Sequence, residues 1–298
     1  MEQGNIRDSG GDRLFNAANY AVMILILLIV LYPVVFVVSS SFSAKEAVAS
    51  GKVLLLPIGF SLEGYQAVFR DPAVLRSIAV SIGYTVAGTF INVVLTIMAA
   101  YPLSRRDLKG RGWFMGLFAF TMFFNGGLIP TYLLVKDLNL LDTPWALLLP
   151  TAVSIWNMVI TRTYFNATIP DELLEAAQMD GCNDLLFLWK VVLPLSGPIV
   201  AVIALYYGVE HWNQYFNALM YLKNPKLYPL QLVLREILIR SQVTADMMGD
   251  SKQMAELAGL SDLLKYSLIV VATAPLMLVY PFVQRYFVRG VMIGALKG

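Results

Sequence analysis

The chain alternates between long apolar stretches and shorter polar loops. Six stretches are apolar enough, at around 20 residues each, to cross a bilayer as helices. Pro and Gly interrupt several of them, which membrane helices tolerate because neighbouring helices satisfy the freed backbone groups. The pattern therefore predicts an all-α, polytopic membrane protein with six transmembrane helices. The predicted spans are residues 17–38, 77–101, 113–135, 144–163, 195–212 and 266–284.

The first apolar stretch is longer than the apolar region of a cleavable secretory signal, so we predict that it is retained as the first span. The small residues from Ser39 to Ala44 also fit a cleavage site. N-terminal sequencing of the mature protein distinguishes these two interpretations.

The third stretch contains Asn125, Gly126, Gly127 and Pro130 a little past its middle. These residues predict a break or a bend in the helix. Irregular backbone at membrane depth needs cover from protein or water, which makes this break a candidate gate or pathway element.

Basic residues in short loops indicate which side of the membrane is cytoplasmic. The loop 102–112 has four basic residues against one acid, and the tail from residue 285 has three against none. We therefore predict that both termini are cytoplasmic. The predicted organisation is a cytoplasmic segment 1–16, a six-span transmembrane domain 17–284 with an inner loop 164–194 and an outer loop 213–265, and a cytoplasmic tail 285–298.

Composition excludes several classes of function. Apolar residues make up 58% of the chain and charged residues 14%, and the net charge of +2 gives no electrostatic footprint for nucleic acid. Cys182 and His211 are the only residues of their types, so an intrachain disulfide or a His/Cys metal cluster cannot form. We predict no cofactor for this chain.

The inner loop contains a predicted helix of about three turns. Thr168 and Asp171 have the spacing of a capping box, Pro170 fits a first turn, and Gly181 is placed to end the helix. An apolar run from 185 to 193 follows and stops at Pro194, where the next span can start in a new direction.

Within that helix, Glu175 offers one charge, and the adjacent Ala176 and Ala177 let another protein approach the backbone closely. The string from Glu175 through Gly181 to Leu193-Pro194 resembles the EAA loop of binding-protein-dependent ABC import permeases, with Val191 where that family usually has Ile. The resemblance implies a coupling helix that docks on a separate ATP-hydrolysing subunit. The docking residues that it implies are Glu175, Ala176, Ala177, Asp180 and Gly181.

The resemblance covers the whole chain and implies its location in the inner membrane of a bacterial cell as well as its partners. These are a second, related permease subunit, two ATP-binding subunits that carry ATP and Mg, and an extracytoplasmic solute-binding protein. The chain itself has no G-x-x-x-x-G-K-[ST] phosphate loop, so it is not predicted to be an enzyme. The tail, with Met292-Ile293-Gly294, resembles the carbohydrate-importing branch and is similar to the smaller maltose-permease subunit and to permeases for oligosaccharides derived from polysaccharides.

Polar side chains in the spans give candidates for a substrate pathway. The second span has a stripe of hydroxyls and amides at helical spacing, which fits either sugar hydroxyls or cross-linking between helices. Glu210, His211 and Trp212 are interpreted as interfacial anchors at a span end. The amphipathic run 230–238 predicts a surface helix that the resemblance places against the binding protein. The pathway candidates are Asn92, Asn125, Trp156 and Asn157.

Two alternatives stay open, and a third, an intramembrane hydrolase, is disfavoured. A permease of the same type for another solute has the same features. An ion-coupled secondary carrier would need buried carboxylates or a two-half repeat, whereas the predicted spans have no Asp, Glu, Lys or Arg in their middles. An intramembrane hydrolase would need a nucleophile and a base at membrane depth, whereas the lone His211 lies at a span end.

Overall fold

A computed structural model describes residues 10–247 and 252–295, and this part of the chain is helical without β-strands. A π-helical turn, Leu188–Val192, and a 3₁₀ turn, Pro225–Leu227, join some of the helices. The helices are α1 Gly10–Ser41, α2 Lys45–Ala49, α3 Glu63–Arg70, α4 Pro72–Ser104, α5 Arg111–Phe123, α6 Leu128–Asp137, α7 Trp145–Leu148, α8 Ile155–Thr168, α9 Asp171–Met179, α10 Asp184–Phe187, α11 Leu193–Leu195, α12 Gly197–Trp212, α13 Phe216–Tyr221, α14 Leu230–Met247 and α15 Lys252–Ala295.

The all-α prediction is confirmed over the described residues, and the membrane-spanning character is present in long apolar helices. Within residues 10–247 and 252–295, three helical segments have the length and composition to cross a membrane, namely Gly10–Ser41, Pro72–Ser104 and Ser261–Pro281. Two bent helix pairs, α5 with α6 and α10–α11 with α12, raise the number to five if each pair forms one span.

The predicted break in the third stretch is confirmed. The helix α5 ends at Phe123, α6 begins at Leu128, and the chain bends by 111° between them. Gly127 has φ of +84°, which favours glycine, and its N–H donates to Oδ1 of Asn125 at 3.0 Å. The residues between the helices therefore form a local turn that changes the chain direction.

The fourth stretch is not one helix, contrary to the prediction. The short helix α7 ends at Leu148, and α8 begins only at Ile155. Pro150 lies between them and cannot donate a helical hydrogen bond. The Ser154 side chain then caps α8 by accepting from the N–H of Asn157. α8 also extends to Thr168, beyond the predicted end of the span.

The chain changes direction near Pro194, as predicted, but two residues later. The chain bends by 84° between the segment Asp184–Leu195 and the helix α12, and Ser196 lies at the bend. Ser196 is fully buried. Pro194 itself lies in the first turn of α11, where a missing N–H is tolerated.

One of two compact units comprises Asp71–Glu236 and Ala272–Gly298. At its centre α4 packs against α12 and α8. A second apolar cluster joins Tyr84 of α4 to α7 and α13. The main core cluster consists of Ile97, Ala100, Leu103, Met158, Tyr164, Phe165, Phe187, Leu188, Val192, Ile199, Val202, Ile203 and Tyr207.

The other compact unit comprises Met1–Arg70 and Ile237–Val271. Apolar side chains of α1 are exposed along most of the helix, as expected for a segment that faces lipid. The serines at the end of α1 are instead buried, and Ser39 Oγ donates to the carbonyl of Leu55 at 2.7 Å. These small residues therefore have a packing role in the structure.

Parts of the predicted terminal segments lie outside the described residues. The segment 1–16 is described only from Gly10, and residues 248–251 of the outer loop 213–265 lie outside the described part. The tail is described as helix to Ala295, and the side chains of Met292-Ile293-Gly294 lie outside the described part.

Candidate functional site

The helix α9 forms where the sequence predicts a docking helix, but its start differs in detail. Thr168 is the last residue of α8, so the predicted capping box does not form. Pro170 occupies the N-cap position with ψ of 148°, and Asp171 and Glu172 lie in the first turn. Carboxylates there are stabilised by the positive end of the helix dipole.

Gly181 ends α9 through a Schellman motif, as predicted for a helix-terminating glycine. The N–H of Gly181 donates to the carbonyl of Gln178, and the N–H of Cys182 donates to the carbonyl of Ala177, each at 2.9 Å. Gly181 has φ of +76°, a conformation that disfavours side chains with a Cβ. The backbone at this position therefore favours glycine.

The predicted docking residues divide between two faces of α9. Glu175, Ala176, Asp180 and Gly181 are exposed. Ala177 is half-buried and packs against the core cluster. The inner face thus holds the helix on its own subunit and leaves four of the five residues on an open surface.

Exposed apolar side chains accompany this open surface, and sequence reasoning missed them. Met179 is 89% exposed and Leu173 is 41% exposed on α9. Leu185 and Trp189 follow with 71% and 69% exposure. Apolar residues are so common in this sequence that these four do not stand out from it. Their exposure becomes visible only in the structure, which shows the side of each helix on which they lie.

A network of ion pairs connects the loop after α4 to this region. Arg105 pairs with Asp107 and with Asp184, and Arg106 pairs with Asp171 at 3.1 Å. Hydrogen bonds from the Arg105 guanidinium hold the pKa of Asp107 below its ordinary value. The sequence predicted only a topological role for these arginines, since their acidic partners on the inner loop are distant in sequence.

The four pathway candidates do not form one exposed wall. Asn92 is fully buried, and its Nδ2 donates to the carbonyl of Thr151 at 3.1 Å. Asn157 is also buried, whereas Trp156 is 60% exposed and Asn125 is exposed.

Three residues of the polar stripe of α4, Ser81, Asn92 and Thr96, form hydrogen bonds with neighbouring segments. Ser81 Oγ accepts from the N–H of Leu230 at 2.8 Å. The Tyr207 hydroxyl shares a hydrogen bond with Thr96 and accepts from the N–H of Ser154. These bonds support cross-linking between helices, because broken backbone at membrane depth needs polar partners.

The residues interpreted as interfacial anchors differ in their surroundings. His211 and Trp212 are buried, with 2% and 4% exposure, and Trp212 Nε1 donates to the carbonyl of Ala272 at 2.8 Å. Glu210 is exposed. The anchor interpretation is therefore wrong for His211 and Trp212, since α12 packs this end against its own unit.

The helix predicted for 230–238 is present at the start of α14, but two of its leucines, Leu230 and Leu232, are buried. Among the described residues, no group of three or more His, Cys, Asp or Glu side chains could hold a metal ion.

Comparison with known proteins identifies the family. Residues 92–293 match the family described as "Binding-protein-dependent transport system inner membrane component". The chain is 43% identical over 288 residues to the polygalacturonan/rhamnogalacturonan transport system permease protein YtcP of Bacillus subtilis (strain 168), covering 96% of this chain and 99% of the relative. Protein LplC of the same organism is 41% identical, with 96% of each chain covered.

A solved structure is also similar. It is described as the crystal structure of a bacterial ABC transporter involved in the import of the acidic polysaccharide alginate. The TM-score is 0.85 at 35% identity, with 94% of this chain and 99% of that chain covered. The chain therefore belongs to the family of binding-protein-dependent transport system inner membrane components, and it is a membrane permease subunit rather than an enzyme.

Proposed function

We propose that this chain is one of two permease subunits of an ATP-driven importer for an oligosaccharide that an extracytoplasmic binding protein delivers. Two separate ATP-binding subunits hydrolyse the ATP. The observation that carries the proposal is the arrangement of α9, whose inner face packs on the core while Glu175, Ala176, Asp180 and Gly181 face outward. A helix held in this way can receive a partner without leaving its own subunit.

The exposed chemistry of α9 fits a groove on the ATP-binding subunit. Met179 and Leu173 supply apolar area next to a carboxylate at Glu175. Burying exposed apolar area drives association, and the exposed carboxylates of Glu175 and Asp180 give the contact a direction. The small side chain of Ala176 lets a partner approach the helix backbone closely. Ala177 packs inward and holds α9 on the core.

We propose six membrane crossings with both termini cytoplasmic. α8 has 14 residues and spans about 21 Å, which is shorter than the roughly 30 Å hydrocarbon layer. The fourth crossing therefore includes α7 and the turn 149–154. That turn is compatible with membrane depth because Asn92 and Tyr207 satisfy backbone groups within it.

This topology places the inner loop 164–194 and the segments 1–16 and 285–298 in the cytoplasm, and the loop 213–265 outside. The permease domain is then 17–284. This topology is supported by the basic loop 102–112, which carries Arg105, Arg106, Lys109 and Arg111.

A second permease subunit completes the pathway. None of the thirteen residues of α5 is buried, and Trp113 and Phe123 are 80% and 81% exposed. Such apolar faces suit lipid or a partner's helices. We retain Asn125 and Trp156 as pathway candidates because both side chains are exposed, whereas Asn92 and Asn157 act in packing.

An oligosaccharide derived from a polysaccharide is the proposed substrate class. It is supported by the names of the relatives, which concern polygalacturonan, rhamnogalacturonan and alginate. The test is uptake into proteoliposomes that contain this chain with its second permease, its ATP-binding subunits and its binding protein.

Labelled oligosaccharides from polygalacturonan and alginate are compared with maltotriose and with sn-glycerol 3-phosphate. ATP-dependent uptake of an oligosaccharide supports the proposal. Uptake of glycerol phosphate alone would assign a different solute, and uptake driven by an ion gradient without ATP would overturn the ATP-driven mechanism.

A further inference from the structure

The guanidinium of Arg105 joins the end of α4 to the segment that follows α9, beside a longer hydrogen bond of 3.5 Å from the Tyr101 hydroxyl to the carbonyl of Asp184. Arg105 directly follows α4, and its Nη1 donates to Oδ1 of Asp184 at 2.5 Å. Its Nε and Nη2 donate to the two carboxylate oxygens of Asp107 at 2.8 and 2.5 Å. Asp107 belongs to the same loop as Arg105, whereas Asp184 is the first residue of α10.

The position of Arg105 is closely defined. Its side chain is 10% exposed, while those of Asp107 and Asp184 are 62% and 66% exposed. Nη1 also donates to the hydroxyl of Tyr101 at 3.1 Å, so the guanidinium has partners in several directions. A guanidinium held in this way orients its carboxylate partners more strictly than a flexible ammonium would.

Two other arginines hold the end of α4 itself. Arg162 Nε on α8 donates to the carbonyl of Leu103 at 2.8 Å, and Arg111 Nη1 donates to the carbonyl of Arg105 at 3.3 Å. Cations near a helix C-terminus satisfy its free carbonyls and interact favourably with its dipole. The end of α4 is therefore tied to α8, and Asp184 is attached to it through Arg105.

The next residue makes a similar connection at the other side of α9. Arg106 pairs with Asp171, the first residue of α9. A cavity of about 320 Å³ lies beside this end of α9, and Arg105, Arg106, Asp171 and Leu174 are among its lining residues. On this side, polar contacts beside a cavity add to the apolar packing of Leu174 and Ala177 on the core cluster that contains Leu103.

We propose that Arg105 is a positioning residue for energy coupling, and that its ion pair with Asp184 transmits movement of the segment 171–187 to α4. This inference rests on the proposed function, in which α9 docks on the ATP-binding subunit. Because α4 packs against both α8 and α12, a displacement at its end reaches the centre of the permease unit.

The test compares two carboxylates on the same guanidinium. In the reconstituted importer, the Asp184→Asn and Asp107→Asn variants each remove one negative partner of Arg105 without changing side-chain size. The readout is substrate transported per ATP hydrolysed, which does not depend on the amount of folded complex. We expect Asp184→Asn to lower this ratio on the order of fivefold. Asp107→Asn stays within about twofold of the unchanged protein, since Asp107 does not belong to the inner loop.

Two further variants separate charge from shape. Asp184→Glu keeps the charge and recovers most of the ratio, while Arg105→Lys lowers it because an ammonium lacks the fork geometry. Equal ratios for Asp184→Asn and Asp107→Asn, or an unchanged ratio for Asp184→Asn, would overturn the proposal.

The docking hypothesis is tested separately with Glu175→Lys. If Glu175→Lys uncouples transport while Asp184→Asn behaves as the unchanged protein, only the role of Arg105 fails. If Glu175→Lys has no effect on uptake or on ATP hydrolysis, docking through α9 itself fails.

Discussion

The imidazole ring of His211 occupies the space that a side chain on Gly88 would need. A Cβ built on Gly88 would overlap the Nε2, Cε1 and Cδ2 atoms of that ring. Gly88 and His211 are both buried, on α4 and α12 respectively. The absence of a Cβ therefore lets these two helices approach closely, in the manner of small residues at membrane helix interfaces.

Gly88→Ala should destabilise the permease by about 1–3 kcal/mol, because the ring or the helix must shift. Gly83→Ala is the matched control on the same helix, since nothing lies within 4 Å of a Cβ built there. Thermal unfolding in detergent measures both variants. Equal stability of the two variants would contradict the close packing of Gly88 and His211.

Asn92→Ala should reduce stability rather than change substrate choice. The substitution leaves the carbonyl of Thr151 without its side-chain donor, and an unsatisfied buried group costs about 1–3 kcal/mol. Asn125→Ala loses only a solvent-exposed bond to the N–H of Gly127, so it should lower the unfolding temperature less. Altered substrate preference of the Asn92 variant at unchanged stability would instead indicate a position in the pathway.

Substitutions of Gly181 should follow their tolerance of positive φ. Nothing lies within 4 Å of a Cβ at Gly181, so the expected penalty is conformational and not steric. Asn tolerates this conformation better than Val, for which it costs about 1–2 kcal/mol or more. We expect Gly181→Asn to retain more substrate-stimulated ATP hydrolysis than Gly181→Val.

Hydrogen exchange at the amides of 178–182 reports directly on the end of α9 in both variants. Equal exchange and equal ATP hydrolysis would contradict a role for the left-handed backbone. Gly181→Asp adds a charge on the docking face and should uncouple transport beyond its conformational effect.

Features that depend on neighbouring residues could be predicted from the sequence. The apolar length of α1 and α4, the turn at Asn125 to Gly127 and the end of α9 at Gly181 are set by local hydrophobicity and backbone preference. The EAA-like string placed the docking helix for the same reason, because its residues lie within one helix.

Features that depend on distant contacts could not be predicted. The break between α7 and α8 is supported by Asn92 and Tyr207, which come from other helices. The burial of His211 depends on Gly88, more than a hundred positions away in the chain. The inward orientation of Ala177 relative to Ala176 depends on how α9 packs on the core, since the two alanines are equivalent in sequence.

Asp142 should make stability depend on pH in the acidic range. Its Oδ1 accepts from the N–H groups of Lys223 and Asn224 at 2.9 and 2.8 Å, and these bonds lower its pKa from the ordinary 3.8. A lowered pKa stabilises the folded protein above the unfolded value, and this contribution is lost as the pH falls through the folded value.

Asp142→Asn removes the charge and retains an oxygen acceptor. The unchanged protein should therefore unfold at a higher temperature than this variant at pH 7, and the difference should shrink at pH values below 3.8. A difference that stays constant from pH 7 to pH 3 would show that the carboxylate charge does not stabilise this contact.

The most direct test of the account asks what contacts the exposed face of α9. A photo-crosslinking amino acid replaces Ala176 in the assembled importer, and the same residue replaces Lys226 as an exposed control that we place on the outer side. We predict an ATP-dependent crosslink from position 176 to the ATP-binding subunit and none from position 226. No crosslink from position 176, or crosslinks of equal yield from both positions, would contradict docking through α9.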